Sequence, residues 1–298
     1  MRKILISICI LIIVGAGFAW WITAPKTLPA DAMAGITGTA AKGETIFYAA
    51  GCASCHAAPD AAEDAMLVLA GGRALTSDFG TFYAPNISPD VEHGIGGWTA
   101  QDLANAMKRG VSPDGQHLYP AFPYTTYTHA SLQDIADLYA FMQTLPADAT
   151  PSKPHEIGFP FNIRRALGGW KLLFLNDDWV LDEASSAQLE RGRYLVEGLG
   201  HCAECHTPRN AIGGLDTARW LGGAPNPSGE GSIPNITSGG LSWSESEIAE
   251  YLKSGFTPDF DVVGGEMADV VGNIAHLTDE DRAAIAAYVK AVPAVSAN

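Results

Sequence analysis

Basic residues are scarce in this sequence: 18 Lys and Arg stand against 33 Asp and Glu, a formal net charge of −15. So acidic a surface repels nucleic acid and anionic lipid. It suits redox protein partners that are basic at the docking surface, and it also keeps a protein soluble. Charge of either sign is thin as well. Charged residues make up 17% of the chain and apolar residues 47%, a balance that excludes disorder and leaves enough apolar side chain in 298 residues for about two domains. Cysteine is too rare for a disulfide framework. Four of the five cysteines sit in two C-x-x-C-H motifs, Cys52-Ala53-Ser54-Cys55-His56 and Cys202-Ala203-Glu204-Cys205-His206. The fifth, Cys9, lies in an apolar run, so no disulfide pair remains.

That run extends from Ile4 to Ile22, behind Arg2 and Lys3 and ahead of Thr23-Ala24-Pro25-Lys26. As a helix rising ~1.5 Å per residue it spans a hydrocarbon core. The leading charges put its start in the cytoplasm and everything after it outside, and Trp20 and Trp21 suit the outer interfacial belt. Residues 1–24 read as the uncleaved anchor of a single-pass protein of the bacterial inner membrane, facing the periplasm. A cleaved signal peptide is the competing reading. Its apolar region is usually shorter, and the one clean small-x-small site, Ala32-Met33-Ala34, lies far downstream.

Beyond the anchor the chain repeats itself. Gly43 precedes the first motif as Gly192 precedes the second, and Gly71-Gly72 follows it as Gly222-Gly223 follows the other. Pro85-Asn86-Ile87 recurs as Pro234-Asn235-Ile236, Trp98 as Trp243, and Gly110-Val111-Ser112-Pro113-Asp114 as Gly255-Phe256-Thr257-Pro258-Asp259. Markers kept in one order at near-constant offset mean two copies of one domain, at residues 36–146 and 187–293.

Each copy reads as all-α. Short helices over residues 41–50 and 188–199 lead into the motifs. Amphipathic helices over 99–109 and 244–254 open on Thr99 and Ser244 as N-caps, and helices over 132–144 and 278–291 close the copies. Gly- and Pro-rich loops without strand-like alternation lie between. The linker, 147–186, begins Pro-rich and then turns apolar through Phe159-Pro160-Phe161 and Trp170-Lys171-Leu172-Leu173-Phe174-Leu175. A free linker would not be so apolar, so it is expected to pack between the domains. A peripheral membrane-contact helix is the rival reading, disfavoured by the acidic net charge.

C-x-x-C-H is an attachment signature for c-type haem. Two thiols one helical turn apart can add to two vinyl groups, and the adjacent His then lies under the iron. A zinc site or a redox dithiol would need neither the His nor its repetition at the head of each copy. Two covalently bound haem c groups are therefore expected, on Cys52, Cys55 and His56 and on Cys202, Cys205 and His206. A sixth ligand is usual. In the second copy Met267, in what reads as a small-residue loop, offers a soft thioether that favours ferrous iron; ordinary core filling is the alternative. The first copy carries Phe122 where the second has Met267. There His129 is the better placed ligand, His117 the next, and an open five-coordinate site the remaining choice. Trp98, Trp243, Arg73, Arg164, Arg165 and Arg209 are candidate donors to haem propionates.

Pro85-Asn86-Ile87-Ser88-Pro89-Asp90, Gly94-Ile95-Gly96-Gly97-Trp98, Leu118-Tyr119-Pro120-Ala121-Phe122-Pro123-Tyr124 and Cys205-His206-Thr207-Pro208-Arg209-Asn210 give the chain a resemblance to a known family. It resembles the membrane-anchored di-haem and tri-haem cytochromes c, which include the cytochrome subunits of bacterial membrane alcohol, gluconate and aldehyde dehydrogenases. The resemblance implies two tandem cytochrome c domains and electron transfer between a donor, a dehydrogenase or quinol-oxidising complex, and a terminal acceptor. Family members place an axial Met where Phe122 or Ala130 stands here. Those dehydrogenase subunits usually carry three haems, whereas this chain has two motifs. The rival class is an enzyme, a di-haem peroxidase or other small-molecule oxidoreductase working at the first haem.

Overall fold

A computed structural model gives the architecture and describes residues 1–62, 65–226 and 231–296. Helix α1 (Arg2–Ile22) is long and apolar enough to cross a membrane, and none of its residues is buried. The first copy contributes α2 (Ala40–Ala49), α3 (Cys52–His56), α4 (Ala100–Arg109), α5 (Tyr124–Tyr127) and α6 (Leu132–Met142). The linker carries α7 (Ala166–Phe174). The second copy contributes α8 (Ala187–Arg193), α9 (Ala203–His206), α10 (Glu245–Ser254), α11 (Glu266–Ile274) and α12 (Asp279–Ala291).

Local chemistry sets the ends of the middle helices alike in both copies. Thr99 and Asp102 form a capping box on α4, and Ser244 and Glu247 form one on α10. Gly110 and Gly255, both left-handed, terminate them.

The crossing of the first and last helices defines each domain, and glycine permits it. A Cβ on Gly43 would stand 1.9 Å from the backbone oxygen of Asp137 in α6, and one on Gly192 2.0 Å from that of Ala284 in α12. The helices therefore touch backbone to backbone, and around the crossings pack Phe47, Ile135 and Phe141 in one domain and Leu195, Ile285 and Tyr288 in the other.

Between its glycine and its first cysteine the second copy has one residue more than the first. The structure absorbs it as a π-helical turn, Tyr194–Leu199, directly after α8. That turn buries Glu197, whose carboxylate accepts from Val180 N at 2.6 Å, from Leu181 N at 3.1 Å and from the Tyr288 hydroxyl. The Trp220 indole donates to the same hydroxyl at 3.0 Å.

Two small sheets modify the all-α expectation. Strands β1 (Ala74–Ser77) and β2 (Gly80–Tyr83) form an antiparallel hairpin, and β3 (Glu156–Ile157), from the linker, pairs with β2 in the register Gly80↔Ile157. In the second copy β4 (Ala224–Pro225) pairs with β5 (Ser232–Ile233). Strands of two to four residues are too short to show an alternating pattern, so periodicity misses them.

The linker touches both copies. Trp170 donates to Ile212 O at 2.9 Å on the second, while Lys171 Nζ reaches Arg109 O and Gly110 O on the first, at 2.7 and 2.6 Å. Burial pushes Lys171 down to about 7 from its ordinary 10.5. A neutral amine still has hydrogens for both carbonyls. From pH 7 to 10.5 the released segment holds a proton that the docked one does not, so docking strengthens as pH rises through that window. Below it both forms are protonated and the full penalty applies. The thermal midpoint is expected to rise between pH 7 and 9 by more than it does in Lys171→Met, as calorimetry would read; parallel curves would refute this.

Candidate cofactor site

Both motifs are short helices oriented by a carbonyl. His56 Nδ1 lies 2.8 Å from Pro85 O, and His206 Nδ1 lies 2.8 Å from Pro234 O. Since a carbonyl only accepts, Nδ1 carries the proton and Nε2 keeps its lone pair. Neither Nε2 has a hydrogen-bond partner among the described residues. Burial lowers the pKa of both imidazoles, opposed by those same hydrogen bonds, which keeps them neutral as an iron ligand must be.

This explains the recurring Pro-Asn-Ile, whose role the sequence does not reveal. The proline carbonyl aims the histidine. Asn86 Nδ2 donates to Asp148 O at 2.8 Å and Asn235 Nδ2 to Val295 O at 2.7 Å, so each asparagine ties the segment to the chain after the closing helix. Ile87 N and Ile236 N bond to Leu69 O and Leu221 O, each at 3.0 Å. Repetition beside both motifs was the available signal.

No two of the five cysteines pair as a disulfide. Burial, with the neighbouring Cys55 adding to it, pushes Cys52 up to about 12; burial pushes Cys202 up to about 12 and Cys205 to about 11. Before attachment these side chains are therefore thiols rather than thiolates, unlike an activated redox dithiol. Among the described residues no three His, Cys, Asp or Glu side chains cluster as a metal-ion site. The residues suit thioether attachment of haem with an axial imidazole.

The two motifs face one another across the domain boundary. His201, immediately before Cys202, points Nε2 at Ala50 O, 3.2 Å away and two residues before Cys52. The Tyr127 hydroxyl donates to the same oxygen at 3.2 Å. His201 holds a left-handed φ of 39° where the first copy has Gly51 at 58°. The contact sustains a conformation that side chains disfavour. Asn273 of α11 donates to Ser54 Oγ at 2.8 Å, Asp269 pairs with Arg73 at 3.0 Å, and His276 stacks on Tyr48 at 3.7 Å.

Met267 lies in the first turn of α11, not in a loop, half-buried against the core. Its neighbour Glu266 is close enough to help raise the Cys205 thiol. His129 lies against the linker. Its ring stacks on Trp179 at 4.0 Å, with Nδ1 3.3 Å from Thr126 O and Nε2 3.2 Å from Asp178 O, and a neutral imidazole can donate to only one of the two. His117 points Nε2 at Thr23 O, 2.9 Å away. His129→Ala is therefore expected to leave the low-temperature EPR of the oxidised protein unchanged; loss of a low-spin signal would reinstate His129. The arginines named as propionate donors are engaged elsewhere: Arg73 with Asp269, Arg164 with His117 O, Arg165 with Thr23, and Arg209 with Glu204.

Fold and site thus define a tandem protein whose two helical domains each wrap a haem-attachment segment. The family model for cytochrome c matches residues 40–146 and again 189–293, and the chain belongs to the cytochrome c family. Its two cytochrome c domains carry two covalently bound haem c groups. The chain is 57% identical to a diheme cytochrome c-type protein of Cereibacter sphaeroides, over 99% of this chain and all of that relative. It is 38% identical to the fructose dehydrogenase cytochrome subunit of Gluconobacter japonicus, over 85% of this chain and 52% of that one. It is also 38% identical to the cytochrome c subunit of a quinone alcohol dehydrogenase of Gluconobacter oxydans, over 85% of this chain and 55% of that one. The chain thus spans about half the length of these dehydrogenase subunits.

Proposed function

We propose that this protein is an electron carrier held at the inner membrane by α1, with both haem domains on the periplasmic side. It would take electrons from a dehydrogenase or quinol-oxidising complex and deliver them to a terminal acceptor. Cys52 and Cys55 would hold one group by thioethers, with His56 Nε2 as a nitrogen donor to its iron. Cys202, Cys205 and His206 would hold the other, with Met267 offering a thioether sulfur. Haem c supplies reversible one-electron exchange when bound. The chain's own residues orient the imidazoles through Pro85 and Pro234.

The observation that carries this reading is the apposition of the two motifs, pinned at His201 and Ala50. Relatives named as dehydrogenase cytochrome subunits support the class of donor. The acidic surface suits a partner that is basic where it docks.

A second reading draws on one observation: Phe122 stands where the second copy has Met267, and the Nε2 atoms of His117 and His129 both face backbone carbonyls. An open position would suit a di-haem peroxidase or another small-molecule oxidoreductase. Stopped-flow mixing separates the two. A carrier is reduced and reoxidised by protein partners and turns over no peroxide with an exogenous donor; steady peroxide turnover would overturn the carrier reading.

A further inference from the structure

The linker leaves a row of large apolar side chains in the open. Phe159 is 82% exposed, Leu173 66%, Leu172 52%, and Phe161 and Ile163 46% each. Scattered apolar residues on a surface are ordinary, but five exposed on one short segment mark an interaction site. Helix α7 turns its other face inward, with Gly168 and Lys171 buried.

What lies beside this segment says what covers it. A Cβ on Gly168 would stand 2.1 Å from Thr23 O, so α7 packs against the residue that ends α1. Arg165 donates Nε to Thr23 Oγ1 at 3.2 Å, bonds to Trp20 O, and stacks its guanidinium over the Trp20 ring at 4.0 Å. The 21 residues of α1 rise through about 31 Å, close to the thickness of a hydrocarbon core. Thr23 then falls at the boundary between acyl chains and headgroups, and α7, in contact with it, cannot stand clear of the bilayer. Trp20 and Trp21, 65% and 71% exposed, suit that depth.

Local charge agrees. The acidic net charge counts against lipid contact for the molecule as a whole, but it is not carried here. Leaving out the buried Lys171, residues 151–175 hold Lys153, Arg164 and Arg165 against one acid, Glu156, and no Asp or Glu occurs between Glu156 and Asp177. Apolar side chains beside basic ones are the composition of an element lying in the membrane interface.

We infer that residues 159–173 form a second membrane contact, with Phe159, Phe161, Ile163, Leu172 and Leu173 seated in the headgroup–acyl boundary of the outer leaflet. This rests on the reading of α1 as a membrane span. Two attachment points fix the domains against the bilayer, where a single helix would let them swing.

Depth-resolved EPR on the full-length, haem-loaded protein tests it. With Cys9→Ser, single spin labels at Leu173→Cys, Phe159→Cys, Ile12→Cys and Phe260→Cys are read in nanodiscs of phosphatidylethanolamine and phosphatidylglycerol. Phe260 is 85% exposed on the second domain and serves as the aqueous reference. The labels at 173 and 159 should be several-fold more accessible to oxygen relative to a water-soluble nickel chelate than the label at 260. Labels at 173 and 159 that match 260, while 12 reads lipid, would overturn the inference alone and leave this face to a protein partner. Aqueous values at 12 as well would overturn the anchor reading with it. Lipid values at 260 would show general adsorption of the domains and would also overturn it.

Discussion

Replacing Gly192 with valine is expected to reduce the haem content of the purified chain from two groups to one. The side chain has nowhere to go. Its Cβ would lie 2.0 Å from Ala284 O, 2.8 Å from the carbon of that carbonyl and 2.9 Å from Tyr288 Cβ, so the obstacle is chiefly backbone and cannot rotate aside. Relief requires α8 and α12 to part, which opens the contacts of Leu195, Ile285 and Tyr288. Overpacking of a core typically costs about 1–3 kcal/mol, and backbone against backbone belongs at or beyond the top of that range. A domain with roughly 5–15 kcal/mol in total does not absorb this easily. The first domain keeps its own crossing, where Gly43 meets Asp137 O, and should keep its haem; Gly43→Val should show the mirror image. Pyridine haemochrome assay per polypeptide, with calorimetry, reads the result. Two haems and an unchanged melting profile would refute it.

Met267→Leu is expected to lower the reduction potential of the second haem and leave that of the first in place. Leucine nearly conserves the volume, so the packing of α11 survives while the sulfur is lost. Thioether ligation stabilises ferrous iron, and axial ligands set haem potentials over a span of about 0.8 V, so the drop should be among the largest a single substitution produces here. Spectroelectrochemical titration would resolve the two haems, and the charge-transfer absorption of thioether-bound ferric haem should vanish. Unchanged potentials and spectra would show that Met267 only fills the core.

How far the sequence discloses this protein depends on how local each feature is. Thr99 with Asp102 and Ser244 with Glu247 cap helices within one turn, so they can be read directly. The duplication is legible because its markers recur in order. Helix α11 is hidden by Gly264 and Gly265 just before it and Gly272 inside it, a composition that reads as loop. The surroundings of His129 are illegible because they come from Asp178 and Trp179, about fifty residues away. For the same reason the arginines look available in the sequence and are engaged in the fold: Arg73 meets Asp269 from the other copy. The linker illustrates averaging, since a whole-chain charge conceals a basic, apolar segment within it.

The one-residue insertion in the π-helical turn makes the two halves non-interchangeable. Glu197 reaches Val180 and Leu181 from that turn, and the first copy offers Phe47, Tyr48 and Ala49 around the same place, with no acid among them. A chain rebuilt from two first-copy domains would retain both glycine crossings but lack the carboxylate that fastens the incoming linker to the second domain. With Gly51 in place of His201 it would also lose the contact to Ala50 O, and its halves would hang like beads on a string. Departures from symmetry at such positions turn a modular array into a single body with a fixed order of parts.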